Sequence, residues 1–223
     1  MAGGRGSQVI ETLDDIEAGM RALKRKCPHM RRAAGLAGMP PLRRSAGGFA
    51  GLARIVVGQQ VSVAAASAIW ARVVAGVSPL TPERMAALTE ADLRACGLSR
   101  PKIVTLSRLA AHLAEGGDWL PALAAAPDEA VRERLVAMPG IGPWTADIYL
   151  MFCLGRVDSF APGDLALQVA AQRLLELETR PSPDELASIA AERWRPWRGI
   201  AARMLWTYYA YEKRLGSADP TGT

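Results

Sequence analysis

Apolar stretches bounded by helix start and stop signals recur along this chain, whereas the alternation of apolar and polar residues typical of strands is scarce. Thr12 with Asp15 predicts the cap of a helix that runs to about Lys26, and an apolar-rich stretch at about 48–76 predicts one long helix. Further helices are predicted to begin or end at Thr81-Pro82-Glu83, Thr89 with Asp92, Gly97, Pro101, Gly116-Gly117, Pro127-Asp128 and Ser182-Pro183-Asp184-Glu185, with a last helix from about Arg198 to Arg214. The pattern predicts an all-α fold of roughly ten helices.

The composition is that of a folded protein with a basic surface. The 223 residues are 50% hydrophobic, enough for one sizeable domain or two small lobes. The formal net charge of +5 and the pI near 9.4 agree with a polyanionic partner. Basic residues cluster between Arg21 and Arg44, where no acidic residue occurs. This run indicates either a surface that binds a polyanion or an ordinary solvated face.

Cysteine and histidine are too few and too scattered for a disulfide framework or a metal cluster. Cys27, Cys96 and Cys153 lie far apart, and His29 and His112 have no neighbour at metal-ligand spacing. We therefore expect a reducing compartment and no catalytic zinc. Because no apolar run has the length of a signal peptide or a membrane span, the sequence predicts a cytoplasmic protein that enters no membrane. The termini, residues 1–7 and 217–223, are rich in Gly, Ser and Pro and are predicted to be flexible.

The most informative segment runs from Met138 to Ala146 and contains two glycines in one tight turn. Gly140 and Gly142 can adopt positive φ and have no Cβ to keep an anion away, and Pro143 suits the first position of a helix at about 143–155. Backbone N–H groups that point out of such a turn, at the positive end of a helix, form a phosphate site. The alternative is a glycine-rich link between two core helices. An acidic residue, Asp164, follows Thr145 by nineteen residues.

Three stretches, residues 58–62 (GQQVS), 139–146 (PGIGPWTA) and 191–198 (AERWRPWR), together resemble one family. Over about residues 10–215 the chain resembles the helix-hairpin-helix DNA glycosylases, most closely the 3-methyladenine DNA glycosylase II group. The resemblance implies two helical lobes with a lesion pocket between them. One lobe is expected at 46–156, with the hairpin at 128–155, and the other at 10–45 plus 157–216.

The resemblance assigns the catalytic role to Asp164. Cleavage of an N-glycosidic bond develops positive charge on the sugar, which a fixed carboxylate stabilises, and the same group can orient the attacking water. Capping of the helix that begins at Leu165 is the alternative role, and the two are compatible. Relatives that also cleave the DNA strand carry a Schiff-base lysine at the position of Trp144, and no lysine lies between Lys102 and Lys213. The resemblance therefore implies a monofunctional N-glycosyl hydrolase that uses water.

The resemblance also implies which residues contact the base and the DNA. Trp144 and Trp206 match pocket aromatics, whose electron-rich faces favour a cationic alkylated base, and Ile148 replaces a family tyrosine. An ordinary place in the core is the alternative for either tryptophan. DNA contacts are expected from Gly140, Ile141, Gly142, Thr145, Gln59, Gln60, Lys102 and residues 193–203. Gln60 matches the side chain that fills the gap left by a flipped nucleotide, with an interior helix position as the alternative.

No cofactor is expected to be required, and three scattered cysteines do not make an iron–sulfur cluster. The resemblance implies a structural monovalent cation held by backbone carbonyls of Met138 and Ile141. The expected partner is double-stranded DNA containing alkylated bases, bound by a monomer of a bacterial protein that works at the nucleoid. Two other functions stay open at this point: a non-catalytic hairpin protein that binds DNA, and a glycosylase for oxidised or deaminated bases.

Overall fold

The computed structural model describes residues 9–117 and 119–218, and these residues form an all-α protein, as predicted. Within them, the only β pairing is an isolated antiparallel bridge between Val9 and Arg156. The helices α1 to α12 are Leu13–Lys26, Pro28–Ala37, Gly48–Gly58, Val63–Gly76, Pro82–Ala86, Glu90–Ala95, Arg100–Gly116, Asp128–Val136, Pro143–Ile148, Leu165–Leu175, Pro183–Trp194 and Arg198–Ala218. The chain also forms a short 3₁₀ helix at Leu120–Ala125.

The predicted capping signals fix the helix starts. Thr12, Thr89 and Ser182 each accept a hydrogen bond from the backbone N–H three residues later, and the acidic side chain at that position bonds back to the cap. These reciprocal bonds satisfy donors that a helix start otherwise leaves unused. The starts of α1, α6 and α11 are therefore confirmed as predicted from local sequence.

The prediction of one long helix at 48–76 is wrong, because the chain breaks between α3 and α4. Gln60 adopts a left-handed backbone conformation, with φ of 55°, which stops the first helix. Ser62 then starts the second helix, since its side chain accepts a hydrogen bond from the N–H of Ala65 at 3.2 Å. Apolar stretches flank this break on both sides and no proline lies within it, so the sequence pattern concealed the turn.

Two other segments differ from the prediction. The helix expected at about 143–155 is α-helical only to Ile148 and continues as a π-helical turn at Tyr149–Cys153. The last helix runs to Ala218 instead of ending near Arg214, so residues 217 and 218 are helical. The predicted flexibility of residues 1–7 and 219–223 lies outside the described residues.

The chain divides into two compact units. The continuous unit runs from Ser45 to Leu154, and the discontinuous unit consists of the chain up to Arg44 and from Gly155 onward. In the continuous unit, α7 packs against α3 and α5 around a core that includes Leu52, Val56, Leu106, Leu109 and Leu135. In the discontinuous unit, α12 packs against α2 and α10, and the core includes Ile16, Met20, Met30, Leu174 and Trp194. Among the described helices, none combines the length and apolar character needed to cross a membrane.

Candidate functional site

The glycine turn of the continuous unit joins α8 to α9 and is built around one glycine that the fold requires. Gly140 has φ of 85°, and a Cβ there would lie 2.5 Å from Oγ1 of Thr105. Gly142, in contrast, has an extended backbone with φ of −94°, and a Cβ there would meet nothing within 4 Å. Gly140 is therefore needed by the turn itself, whereas Gly142 leaves open space in front of the backbone.

Two backbone amide groups at this turn donate hydrogen bonds within the protein. The N–H of Ile141 donates to the carbonyl of Met138 at 3.1 Å and so closes the turn. The backbone ladder of α9 begins with the N–H of Ala146, which donates to the carbonyl of Gly142 at 3.1 Å. The N–H of Ile141 is therefore not among the groups that can point out of the turn. A shallow depression of about 460 Å³, lined by residues 136–142, lies on this turn.

An ion pair that the sequence analysis did not identify fixes the two helices of the hairpin. Arg132 on α8 donates from Nε and a terminal nitrogen to Oδ1 of Asp147 on α9, at 3.0 and 2.8 Å. Asp147 is 4% exposed, so removal of the arginine would leave a buried carboxylate. The two residues are fifteen positions apart and carry no local signal of pairing. This ion pair links α8 to α9, the two helices on either side of the glycine turn.

The break between α3 and α4 contacts the start of α9. Nε2 of Gln59 donates to Oγ1 of Thr145 at 2.9 Å, and Thr145 is only 2% exposed. Two residues predicted as DNA contacts are thereby brought together, and the buried hydroxyl is occupied by the glutamine. Gln60, the next residue, is exposed at the tip of the break. Its left-handed conformation costs on the order of 1 kcal/mol, a type of local strain that clusters at functional sites.

Trp144 and Ile148 stand four residues apart on α9 and so lie on the same side of the helix. Trp144 is half-buried, whereas Ile148 is 8% exposed. Directly after them, the N–H of Leu154 donates to the carbonyl of Tyr149 at 3.0 Å across the π-helical turn. Such a widened turn in a helix often occurs at functional positions.

In the discontinuous unit, Asp164 is held by hydrogen bonds from two directions. Its Oδ1 accepts from the backbone N–H of Leu167 at 3.0 Å, so Asp164 caps α10 as the local sequence predicts. The same oxygen accepts from the indole N–H of Trp206 at 3.1 Å. Both side chains are partly exposed. Trp206 comes from α12, and only the tertiary fold brings it to Asp164, forty-two residues earlier.

The loop that carries Asp164 is fixed by a glutamine one helical turn later. Nε2 of Gln168, which is 7% exposed, donates to the carbonyl of Pro162 at 3.0 Å. The backbone N–H of Asp164 donates to the carbonyl of Ala161 at 3.1 Å. The carboxylate therefore projects from a tight, internally bonded turn. Gln168 was not singled out in the sequence, because a glutamine inside a helix carries no distinctive signal.

Several cations predicted to contact phosphates also make contacts inside the protein. Lys102 is 9% exposed, and its ammonium donates to the carbonyl of Val57 in the last turn of α3 at 2.7 Å. Burial lowers the pKa of Lys102. In the second group, Arg198 forms a bidentate pair with Asp158 at 2.9 and 3.0 Å, and Arg195 lies 3.7 Å from the same carboxylate. These contacts stabilise helix ends and loops of their own units.

The described part of the chain offers few side chains that could act as metal ligands. Among the described residues, no group of three or more His, Cys, Asp or Glu side chains is arranged to hold a metal ion, and the three cysteines are buried and form no disulfide. Backbone carbonyls of the glycine turn are hard oxygen donors of the kind that bind alkali cations. The carbonyl of Met138 already accepts from Ile141, yet each carbonyl has two lone pairs, so this hydrogen bond leaves one lone pair for such an ion.

A helical hairpin with an open glycine turn, together with a carboxylate held at a helix start, defines an all-α protein of the helix-hairpin-helix class. A family model described as "HhH-GPD superfamily base excision DNA repair protein" matches residues 53–196, more than half of the 223 residues. The chain belongs to this superfamily. The match extends over parts of both units and includes the glycine turn and Asp164.

Curated relatives and solved structures agree with this assignment. The chain is 35% identical over 171 residues to "Probable bifunctional transcriptional activator/DNA repair enzyme AlkA" of Mycobacterium tuberculosis, covering 69% of this chain and 32% of that protein. It is 33% identical over 162 residues to "DNA-3-methyladenine glycosylase 1" of Schizosaccharomyces pombe, covering 70% and 69% of the two chains. The chain thus spans about a third of the length of the mycobacterial relative.

The fold is similar to that of solved structures. A structure of the S. pombe 3-methyladenine DNA glycosylase Mag1 in complex with abasic DNA has a TM-score of 0.77 at 28% identity, covering 85% of this chain and 95% of that one. A DNA-3-methyladenine glycosidase from Bacillus halodurans has a TM-score of 0.73 at 29% identity, covering 88% and 91%.

Proposed function

We propose that this protein is a monofunctional DNA glycosylase that hydrolyses alkylated bases, of the 3-methyladenine type, out of duplex DNA and leaves an abasic site. The observation that carries the proposal is the pair of hydrogen bonds that fix Oδ1 of Asp164, from Leu167 and Trp206, in a chain of the HhH-GPD superfamily. The names of the relatives support the alkylated-base specificity.

The proposed role of Asp164 is electrostatic. As the bond between sugar and base breaks, positive charge grows on the sugar ring, and a carboxylate of fixed orientation stabilises that charge without having to reorganise. The bonds from Leu167 and Trp206 supply this fixed orientation before substrate arrives. The same carboxylate orients the water that attacks the sugar. One preorganised group of this type contributes about 10²- to 10³-fold in rate.

The proposed role of the hairpin is to hold the DNA backbone. The open space at Gly142 lets a phosphate approach the peptide groups, and the ion pair between Arg132 and Asp147 keeps the turn rigid. Backbone carbonyls of Met138 and Ile141 would hold a monovalent cation, which would add positive charge near the phosphate. Gln60, at the exposed break between α3 and α4, is proposed to fill the gap left by the flipped nucleotide.

Substrate preference is assigned to the aromatic side chains. Trp144 in the continuous unit and Trp206 in the discontinuous unit each carry an indole ring, a group that attracts a cationic base by about 0.5–2 kcal/mol. A cationic base is also the better leaving group, so hydrolysis needs neither a bound cofactor nor a covalent lysine intermediate. Ile148, which is 8% exposed, carries no hydroxyl, so we assign it a packing role and no hydrogen bond to the base.

The test is a base-release assay with duplexes that carry 3-methyladenine, 8-oxoguanine or uracil at one position. We expect release of the methylated base, an abasic product that breaks only on heating with alkali, and no covalent adduct with borohydride. Release of oxoguanine or uracil alone would show an enzyme with another lesion specificity. Binding without release of any base would leave a DNA-binding hairpin protein, and strand cleavage without alkali would refute the monofunctional mechanism.

A further inference from the structure

The basic residues between Arg21 and Arg44 differ in the contacts that they make within the protein. Arg21 pairs with Glu17 at 3.5 Å, Arg31 donates to the carbonyl of Lys24 at 2.9 Å, and Arg32 pairs with Glu176. Arg43 and Arg44, at the end of the run, are exposed. Among the ion pairs of the described residues, none involves either of them.

A third arginine lies beneath these two. Arg203 on α12 is 2% exposed and donates to the carbonyl of Gly199 at 2.9 Å and to the carbonyl of Arg43 at 3.4 Å. Burial, and then the charges of Arg44 and Arg43, lower the pKa of Arg203 to about 10. At neutral pH it therefore remains protonated, and three positive charges lie close together. We call Arg43, Arg44 and Arg203 the arginine cluster.

The positions of the two exposed arginines are constrained. Arg203 holds the backbone of Arg43 through its carbonyl. The guanidinium of Arg44 lies over Gly155, where a Cβ would be 1.8 Å from its terminal nitrogen. Gly155 has φ of 71°, which a glycine adopts without steric cost. Arg44 thus occupies space that exists only because residue 155 has no side chain.

The arginine cluster adjoins the proposed catalytic carboxylate. A narrow crevice on the discontinuous unit is lined by Pro41, Arg43, Arg203, Trp206 and Thr207. Trp206, one turn after Arg203 on α12, donates its indole N–H to Asp164. Arg43 and Arg203 therefore line the same crevice as the tryptophan that bonds to the carboxylate, within a single unit.

We propose that Arg43 and Arg44 bind a phosphate of the DNA strand beside the nucleotide presented to Asp164, with Arg203 as the buried residue that positions them. Planar guanidinium groups suit this ligand because they donate two parallel hydrogen bonds to phosphate oxygens. An anion also relieves the repulsion within the cluster. The inference rests on the proposed function for the identity of the strand, but the phosphate site itself can be tested without catalysis.

The experiment measures binding of Arg43→Gln, Arg44→Gln and the double variant to a duplex that contains a stable abasic-site analogue, over a range of salt concentrations. Loss of one phosphate contact should reduce the slope of log K against log salt by about 0.9, and the double variant by about twice that. Each single variant should bind about tenfold more weakly at low salt. Arg25→Gln is the matched control, because it removes an exposed charge from the same run outside the cluster.

The possible outcomes separate this inference from the proposed function. If Arg43→Gln and Arg44→Gln have the same salt slope and DNA affinity as the control Arg25→Gln, the phosphate site is overturned, whatever the base-release assay shows. If the substitutions weaken binding as expected but the wild-type protein releases no base, the phosphate site is supported and the proposed enzyme activity is refuted. Arg43→Lys and Arg44→Lys should recover the salt slope but only part of the affinity, since lysine keeps the charge and lacks the planar fork. Circular dichroism of each variant checks that the fold is intact.

Discussion

Replacement of Asp164 by asparagine and by alanine should separate its two roles, helix cap and catalytic anion. Asparagine caps a helix about as well as aspartate, and its side-chain oxygen can still accept from Leu167 and Trp206. Asp164→Asn should therefore change the free energy of unfolding by less than about 0.5 kcal/mol. Asp164→Ala removes the cap, which costs about 1 kcal/mol, and the partner of a partly exposed indole N–H, which costs up to about 1 kcal/mol more.

Catalysis should respond differently from stability. Both variants lack the negative charge, so the single-turnover rate of base release should fall at least about 10²-fold in each, close to 3 kcal/mol in the activation barrier. The rate is measured at saturating DNA, and stability is measured by urea unfolding of the same preparations. Asp184→Asn is a suitable control, because Asp184 is an exposed acid in the first turn of α11. It changes the net charge equally and should leave the rate unaltered.

Two results would contradict this reasoning. If Asp164→Asn releases base at the wild-type rate, the carboxylate charge has no catalytic role and Asp164 is only a cap. If the rate falls in Asp164→Ala but not in Asp164→Asn, the loss comes from the disturbed start of α10. Either result would leave the hydrogen bond from Trp206 as a purely structural contact.

Three further variants test the turn and the carboxylate site. Gly140→Ala should destabilise the protein by about 1–3 kcal/mol in urea unfolding, because φ is 85° and the new Cβ would approach Thr105. Gly142→Val should leave stability nearly unchanged, since the space is open, yet weaken DNA affinity with and without a lesion; unaltered affinity would argue against phosphate binding at the turn. Trp206→Phe keeps an aromatic ring but removes the donor to Asp164, so the single-turnover rate should fall by about 5- to 10-fold; a larger loss for Trp206→Leu than for Trp206→Phe would isolate the contribution of the ring.

Local sequence was sufficient to predict the features that depend on residues a few positions apart in the chain. Helix starts at Thr12, Thr89 and Ser182 follow from side chains that bond to backbone groups three residues away. The hairpin was located for the same reason, because the glycines and the proline that form its turn lie next to one another in the chain. The break at residues 59–62 was not located, since glutamine rarely adopts the left-handed conformation found at Gln60 and no proline marks the break.

The sequence by itself determined the helical class, most of the helix starts, the glycine turn and the identity of the candidate carboxylate. Tertiary structure alone decided which distant groups meet: Arg132 with Asp147, Gln59 with Thr145, and Trp206 with Asp164. It also decided that Lys102 bonds to a helix end, while Arg43 and Arg44 have no acidic partner among the described residues. The physical reason is that caps and turns depend on neighbours within about four residues, whereas pairing and burial depend on how whole helices pack.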